Sequence, residues 1–435
     1  MARILFTTLG SLGDIHPLMA IGLELQKLGH GVVIATSDRH GQRVKDAGFE
    51  FAEIPPKFPK AEDQPRLMQR WMDPKHGTDR VMREFVMPSL KATHEAMEPL
   101  VQSADLVIPH PFTITAGFLA EKCGKPWMAI PFVPMVFATE AEPPVVGQLM
   151  HPERLQWFGT PYPLRWLFRL AKWLNARGWD GYRQIRREMG QAEINGHPYF
   201  DYYMKQSNLI LAVFSETLGQ RCGEWPRGTV QTGFAFYDQM DHELQDESAE
   251  RLATFLEQGQ PPLVFSLGST GVYTAGDFYL HAWEIARRLG QRAVLLVGPY
   301  ENVRVPKDAG EDCLAVKYAP HAQVFPKAKV IIHHGGVNTT GQAIRAGRPQ
   351  LVVPLAHDQF DNAARMVRRG VGLTLPKAKF TADRAEPMIA QLIENNRFEH
   401  QAKEARQVVS SEPGSAGAAQ AIHDFLIQWR GRTDA

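Results

Sequence analysis

The sequence predicts an α/β protein built from two doubly wound units, each a parallel β-sheet with helices on both faces. The first observation is that short apolar strands alternate with amphipathic helical segments, a pattern typical of parallel sheets. The second is that this alternation occurs twice, with a turn-rich and then acidic stretch at 228–245 between the two series. Two such units leave a cleft between the carboxyl ends of their sheets, where we expect ligands to bind.

The first series supplies the elements of one sheet. The predicted strands are 3–7, 31–36, 50–54, 106–109, 127–130 and 209–213, and the predicted helices are 17–28 and 41–47. From 143 to 195 the pattern changes, since Trp157, Trp166 and Trp173 stand among arginines and lysines, and we predict a helical insertion there. The aromatic and basic residues of 161–188 leave two interpretations open: a packed helix with a solvated basic face, or peripheral contact with a membrane surface.

The second series supplies the elements of the other sheet. Its predicted strands are 263–267, 293–297, 315–317, 330–333 and 350–354, and its predicted helices are 277–289, 338–346 and 359–369. We therefore predict an N-terminal domain at 1–230, a linker at 231–245, a second domain at 246–415 and a C-terminal helix at 416–435.

Composition excludes several classes of protein. The 435 residues allow two to three domains at roughly 150 residues each. Lys and Arg number 48 and Asp and Glu number 47, and a formal charge of +1 is too small for a dedicated nucleic-acid binder. Three widely spaced cysteines predict neither a disulfide framework nor a zinc site. Without a recognisable secretory signal or membrane-spanning stretch, we expect a cytoplasmic protein.

The segment 318–361 carries the strongest functional signal. Its predicted strand is followed by a glycine turn and a helix start, in the order His334, Gly335, Gly336, Asn338, Thr339 and Thr340. Glycines let the backbone approach an anion closely, and the N–H groups and dipole of a helix N-terminus bind it. Because the imidazole and the hydroxyls add donors, we predict a phosphate or diphosphate cradle without a P-loop lysine.

There are two further glycine turns, one after the first strand of each series. The turn of the second series contains Gly268, Ser269 and Thr270, which we expect to contact the same diphosphate. The turn at 10–17 spaces its glycines as Gly-x-x-Gly, which disfavours a dinucleotide site. Its Asp14 leaves two interpretations open: a general base facing the cleft, or a cap of the helix that follows.

These motifs resemble the signatures of the inverting nucleotide-sugar glycosyltransferases of the GT-B type (the UDP-glycosyltransferase group), which have two Rossmann-like domains facing across a cleft. Segment 318–361 is similar to their donor-binding signature, and 10–17 is similar to their N-terminal GSxGDxxP motif. The form HHGG with AHDQFDNA is most like bacterial rhamnosyltransferases of the rhamnolipid type and sterol glucosyltransferases. Since the protein has no Asp-x-Asp, the usual metal–diphosphate handle, we expect no metal and no cofactor beyond the nucleotide-sugar substrate.

The resemblance implies a role for each matching residue. Asp14 takes the place of the catalytic base, and Tyr318 that of the aromatic residue that stacks on the nucleobase. The implied diphosphate contacts are Gly268, Ser269, Thr270, His334, Gly335, Gly336, Asn338 and Thr339, and the implied sugar contacts are Asp358 and Gln359. For the acceptor we expect contacts from His16, His110, Phe132 and Met135.

Two positions depart from the family pattern. Gln342 stands where plant members have a glutamate that binds both ribose hydroxyls, and a neutral side chain tolerates deoxyribose better than a buried carboxylate would. His110 stands where plant members have an aspartate that orients the base. Because a carboxylate base needs no acidic partner, we expect Asp14 to act alone.

We therefore predict a hexosyltransferase that moves a sugar from a dTDP- or UDP-sugar to a hydroxyl of a hydrophobic acceptor. The expected donors are dTDP-rhamnose and then UDP-glucose, and the expected acceptors are a natural product such as a flavonoid, a hydroxy fatty acid lipid or a sterol. One rival interpretation is a nucleotide-sugar epimerase on the same fold. Another is a non-catalytic relative, although such a protein should have lost Asp14 or the HHGG cradle.

Overall fold

The computed structural model describes residues 1–60, 62–139, 142–145, 179–238, 247–300, 303–306 and 310–433. It contains parallel β-sheets in both halves of the chain, which confirms the predicted α/β class. Trp157, Trp166 and Trp173, with the 161–178 part of the predicted membrane contact, lie outside the described residues.

The N-terminal half forms a row of parallel strands. They are β1 (Arg3–Thr7), β2 (Gly31–Thr36), β3 (Glu50–Glu53), β4 (Leu106–Pro109), β5 (Met128–Ala129), β6 (Leu209–Ala212) and β7 (Val230–Gln231). Their hydrogen bonds give the orders β3-β2-β1-β4 and β5-β6-β7, and a parallel bridge between Val107 and Trp127 joins the two pieces. In the register, Ile4 of β1 is paired with Val32 of β2 on one side and with Leu106 of β4 on the other.

Helices connect these strands. They are α1 (Leu12–Lys27), α2 (Gly41–Asp46), α3 (Gln64–Trp71), α4 (Gly77–Val81), α5 (Met87–Ser103), α6 (Thr115–Lys122), α7 (Asp180–Glu188) and α8 (Met204–Gln206). Helix α1 begins earlier than the predicted 17–28 because Ser11 and Asp14 form a capping box. In that box the Ser11 hydroxyl accepts the N–H of Gly13 at 3.1 Å, and the Asp14 carboxylate accepts the N–H of Ser11 at 2.7 Å.

The second half has the strand order of dinucleotide-binding sheets. Its strands are β8 (Leu263–Ser266), β9 (Ala293–Leu296), β10 (Cys313–Val316), β11 (Val330–His333), β12 (Gln350–Val352) and β13 (Gly372–Thr374), in the order β10-β9-β8-β11-β12-β13. Every residue of β8, β9 and β11 is buried, which explains their continuous apolar sequences. The two-residue strand β7 and the short edge strand β13 were not predicted, because neither contains an extended apolar run.

The first helix of the second half begins at Glu247, after the predicted linker. The helices of this half are α9 (Glu247–Glu257), α10 (Gly268–Gly271), α11 (Phe278–Arg288), α12 (His321–Val324), α13 (Val337–Ala346), α14 (Gln359–Arg368), α15 (Ala382–Glu394), α16 (Asn396–Ser411) and α17 (Gly414–Thr433). The last helix returns to the first half, where Ile422 and Leu426 share a core with Ile15 and Leu18 of α1. The predicted C-terminal helix is therefore part of the N-terminal core.

Each sheet reverses its strand order at one place. The reversal lies between β1 and β4 in the first sheet and between β8 and β11 in the second. Loops that leave the carboxyl ends of two such strands run in opposite directions and open a crevice, which is where open α/β sheets bind ligands. The four loops at these two crevices carry Asp14, His110, Gly268 and His334.

Candidate functional site

Asp14 and His110 lie together at the crevice of the first sheet. Asp14 lies in the first turn of α1, and His110 directly follows β4. Asp14 Oδ1 is 3.3 Å from His110 Nε2, and Asp14 Oδ2 accepts the Ser11 N–H at 2.7 Å and the Ser11 hydroxyl at 3.1 Å. The carboxylate is thus held at three points, while 30% of the Asp14 side chain stays exposed.

The tautomer of His110 follows from its backbone contact. His110 Nδ1 accepts the N–H of Phe112 at 3.3 Å, so the neutral ring carries its proton on Nε2 and donates it to Asp14. The ring stacks on Phe132 with 6.0 Å between centroids. Asp14 therefore has a hydrogen-bonded partner in the folded protein, whereas the sequence led us to expect it to act alone. The resemblance placed His110 at the position of an aspartate that orients the base, but the contact itself depends on β1 and β4, which become neighbours only in the folded sheet.

The surroundings of Asp14 keep it ionised at neutral pH. Burial raises the pKa of Asp14, but the hydrogen bonds from His110 and Ser11 outweigh burial and hold the pKa below its ordinary value. An ionised carboxylate that retains exposed surface can accept a proton from a ligand. The arrangement therefore has the chemistry of a general base.

Gly10 makes room for this carboxylate. Its φ is +153°, and a Cβ at this position would lie 2.2 Å from Asp14 Oδ2. The helix cap itself is Ser11, with Asp14 completing the capping box from the first turn. The two sequence interpretations of Asp14 are therefore compatible, because one carboxylate oxygen faces Ser11 and the other faces His110.

The ring of His334 lies between two glycine turns at the crevice of the second sheet. A Cβ on Gly268 would lie 2.4 Å from His334 Cε1, and a Cβ on Gly336 would lie 2.4 Å from His334 Nε2. Only glycine at both positions leaves space for this ring. Burial, with the neighbouring charges of His333 and His321, lowers the pKa of His334 to about 3, so the ring is neutral at pH 7. Its Nδ1 is buried with no hydrogen-bond partner among the described residues, so a ligand can satisfy it.

His333 supports the same turn from the core side. Its Nδ1 accepts the N–H of Gly335 at 3.2 Å, and its Nε2 lies 2.9 Å from Gln350 Oε1. Gly335 has a φ of +88°, and a Cβ there would lie 2.8 Å from Val352. The two adjacent histidines therefore have different positions: His333 fixes the turn from the core side, and His334 faces the crevice.

Helix α13 begins at this turn without a side-chain cap. Gly336 is its N-cap residue, and no side chain caps the first turn, so its N–H groups and dipole suit an anion. Asn338 Nδ2 donates to the Gly13 carbonyl at 3.0 Å, which joins the two crevices directly. That amide is therefore engaged across the cleft, and diphosphate contacts by Asn338 and by the largely buried Thr339 stay predictions.

The remaining predicted donor contacts, to the nucleobase, the ribose and the diphosphate, lie in the second half of the chain. Tyr318 is 41% exposed, as a stacking platform requires, and Ser269 and Thr270 lie on the short helix α10. Gln342 Nε2 donates to Asp238 Oδ1 at 3.4 Å. The carboxylate near Gln342 is thus that of Asp238, which Arg345 neutralises through two bonds.

Asp358 and Gln359 begin helix α14. Burial, reinforced by the charge of Asp14, raises the pKa of Asp358 to about 7 although Asn362 donates to its carboxylate at 2.7 Å. Gln359 is 4% exposed, and its Oε1 accepts two N–H groups of the preceding loop at 2.8 and 3.1 Å. Only its amide nitrogen is left for a sugar.

The predicted acceptor contacts are dispersed. Phe132 lies against His110 beside Asp14, and Met135, three residues further along the chain, is half-buried in a short helical turn. His16 packs against Tyr237, with 5.1 Å between the ring centroids. The sequence analysis did not single out His357, which directly precedes Asp358 in the chain.

The described residues offer neither a metal centre nor a membrane span. In the described ranges, no three His, Cys, Asp or Glu side chains are grouped so that they could hold a metal ion. Among the helices that the structure describes, none combines the length and apolar character that a membrane crossing requires.

Known proteins resemble this chain in sequence. The glycosyltransferase family 28 N-terminal domain matches residues 4–132, and the erythromycin biosynthesis protein CIII-like C-terminal domain matches residues 305–425. The chain is 27% identical to O-mycaminosyltylonolide 6-deoxyallosyltransferase of Streptomyces fradiae, over 97% of both proteins. None of these relatives is an epimerase, so that alternative has no support.

Solved structures share the fold over their whole length. The glycotransferase of kitacinnamycin superposes with a TM-score of 0.69 at 19% identity, covering 98% of this chain and 99% of its own. The spinosyn rhamnosyltransferase complexed with thymidine diphosphate superposes with a TM-score of 0.68 at 17% identity, covering 97% of this chain and 100% of its own. The chain is therefore a glycosyltransferase with the two-domain GT-B architecture.

Proposed function

We propose that this glycosyltransferase moves a sugar, foremost rhamnose, from a thymidine-diphosphate donor to a hydroxyl of a hydrophobic small molecule, with inversion at the anomeric carbon. The proposal rests on the observation that the two crevices face each other. The ionised Asp14 directly follows Gly13 in the chain. The Gly13 carbonyl accepts a hydrogen bond of 3.0 Å from Asn338 Nδ2, at the start of α13. A base and an anion cradle on opposite sides of one cleft suit a displacement between an alcohol and a diphosphate.

The chemistry follows from the groups present. Asp14 accepts the acceptor's hydroxyl proton while the oxygen bonds to the anomeric carbon from the face opposite the diphosphate. The bond between the anomeric carbon and the diphosphate oxygen breaks. The negative charge that develops is stabilised by the N–H groups of α13 and the imidazole N–H of His334. Because this cradle supplies the stabilisation electrostatically, we propose that the reaction needs no metal ion.

The donor proposal rests on Gln342 and its neighbours. A neutral Gln342 beside the Asp238–Arg345 pair leaves no free carboxylate that would require both ribose hydroxyls. The spinosyn rhamnosyltransferase, which this chain resembles in fold, is complexed with thymidine diphosphate. Thymidine diphosphate and uridine diphosphate would differ here by one hydrogen bond to the ribose. Such a bond contributes roughly 0.5–1.5 kcal/mol, or up to about tenfold in affinity.

The acceptor proposal rests on the apolar surroundings of Asp14. Phe112 and Phe132 both lie against the His110 ring, at 5.1 and 6.0 Å between centroids. A hydrophobic alcohol or phenol therefore fits beside the base better than a charged acceptor. The Streptomyces fradiae relative is named as a 6-deoxyallosyltransferase of O-mycaminosyltylonolide, which supports a natural-product acceptor.

The test is a titration combined with an acceptor screen. Thymidine diphosphate should bind more tightly than uridine diphosphate, and Gln342→Glu should shift the preference toward uridine diphosphate. Screening with dTDP-rhamnose and UDP-glucose in chelator should release nucleoside diphosphate only with a hydrophobic hydroxyl compound, and the product's anomeric configuration should be inverted. Tenfold tighter binding of uridine diphosphate would overturn the donor proposal. A strict magnesium requirement would overturn the metal-free mechanism.

A further inference from the structure

His357 has an unusual backbone. Its φ is +56°, and among the described residues only Ala138 is another non-glycine residue with positive φ. A bulky side chain in this region is strained, and glycine would relieve the strain. Such strain persists where the surroundings fix the residue, and it is concentrated at functional sites. His357 lies in the loop between β12 and α14, directly before Asp358.

The side chain of His357 is fixed from the other half of the molecule. Thr78 Oγ1, on α4, lies 2.9 Å from His357 Nδ1. A Cβ on the neighbouring Gly77 would lie 2.2 Å from the Trp71 carbonyl oxygen and 3.3 Å from His357 Cε1. Glycine at position 77 therefore allows α4 to approach the ring.

We call residues 64–81 the arm, and the arm itself is anchored to the second half. Three residues of the arm pack into the hydrophobic core that contains β8, although they lie in the N-terminal half of the chain: Met68, Trp71 and Met72. The Tyr273 hydroxyl, next to α10, donates to the Gln64 side chain. The Thr78–His357 contact is therefore part of a built interface between the halves.

The charge around His357 selects the kind of ligand. Burial lowers the pKa of His357 to about 4 although the charge of Asp14 acts to raise it, so the ring is neutral at pH 7. Nδ1 faces Thr78, and Nε2 has no hydrogen-bond partner in the described part of the chain. The ring stands near two carboxylates, Asp14 and Asp358. A neutral polyhydroxyl group fits such surroundings, whereas a phosphate would be repelled by Asp14.

We propose that His357 binds a hydroxyl of the donor sugar through Nε2, and that Thr78 is a positioning residue that orients this ring from across the cleft. This inference rests on the proposed function and adds a sugar contact that completes the pocket only when both halves are in place. A nucleoside diphosphate without its sugar would not touch His357. Binding of the two ligands therefore separates this role from a merely structural one.

The experiment compares four variants with the wild type: His357→Gly, Thr78→Val, Thr78→Ser and, as a control, the exposed Thr254→Val. We expect His357→Gly to raise the KM for dTDP-rhamnose about tenfold, and to leave the Kd of thymidine diphosphate within twofold of the wild-type value. Thr78→Val should act in the same direction by a few-fold, because Thr78 is exposed. Thr78→Ser should restore the wild-type KM, and Thr254→Val should change neither constant.

Two outcomes overturn the inference. Unchanged KM in His357→Gly shows that the ring does not bind the sugar, and an equal loss for both ligands shows that it only holds the fold. Failure of the proposed function is distinguishable from both, since the wild type itself would then release no nucleoside diphosphate from dTDP-rhamnose or UDP-glucose. Folding of each variant is checked by its thermal unfolding.

Discussion

At the scale of single residues, the proposed role of Asp14 as a base depends on two neighbours that act in different ways. His110 donates a hydrogen bond to Asp14 Oδ1, and Gly10 leaves the volume that Asp14 Oδ2 occupies. His110 lowers the pKa of the carboxylate and so keeps it ionised, and Gly10 allows the carboxylate to take its position. Each contribution can be tested separately, because the two residues contact different oxygens.

The His110 contribution predicts a pH effect. The base works only when ionised, so activity is lost as the pH falls through the pKa of Asp14, which the contacts of Asp14 hold below its ordinary value. In His110→Ala the opposing effect of burial remains, so the pKa rises and the acid limb of the kcat/KM profile moves to higher pH. His110→Gln, which keeps an N–H donor, should move it less. An acid limb that stays in place in His110→Ala contradicts this role.

The Gly10 contribution predicts a clash. Gly10→Ala places a Cβ where Asp14 Oδ2 lies, and should lower kcat roughly tenfold or more. Gly29→Ala is the matched control, because Gly29 also has positive φ, +80°, but nothing lies within 4 Å of its would-be Cβ. Both variants place a Cβ at positive φ and should lose free energy of unfolding, Gly10→Ala more than Gly29→Ala because of the clash, and only Gly10→Ala should lose turnover. Equal turnover in the two variants would rule out the steric argument.

At the scale of elements, helices α1 and α17 begin earlier than the local sequence pattern predicts. The strands at 3–7, 31–36, 106–109 and 330–333 agree with their predicted bounds, because buried parallel strands are continuous apolar runs. Helix α1 starts earlier than predicted because its start depends on capping by Ser11 rather than on its apolar stripe. Helix α17 shows periodicity in the sequence, but nothing local indicates that it packs on α1.

The packing of α17 predicts a difference between two isoleucines of the same helix. Ile422 is fully buried in the N-terminal core, whereas Ile427 is 59% exposed. Ile422→Ala should lower the free energy of unfolding by about 2–5 kcal/mol, and Ile427→Ala should change it by less than about 0.5 kcal/mol. Denaturant unfolding of both variants provides the comparison. Equal stability would mean that α17 does not belong to this core.

At the scale of the whole molecule, the site is assembled from two crevices that face each other. The sequence predicted both glycine turns and the place of Asp14, because each motif follows its strand directly in the chain, whereas the role of Asp14 as the base stays a prediction. It did not predict the Asp14–His110 contact, the Asn338–Gly13 bond or the Thr78–His357 contact, since all three join segments far apart in sequence. The domain boundaries and the cytoplasmic location stay predictions.

The measurement that tests the account most directly is single-turnover transfer by Asp14→Asn, with thymidine diphosphate binding measured on the same preparation. Asparagine has nearly the same shape but cannot accept the acceptor's proton. Because the cradle around His334 belongs to the other crevice, we predict unchanged thymidine diphosphate affinity and transfer slowed by roughly a hundredfold or more. Transfer near the wild-type rate, with binding intact, would contradict the assignment of Asp14 as the base.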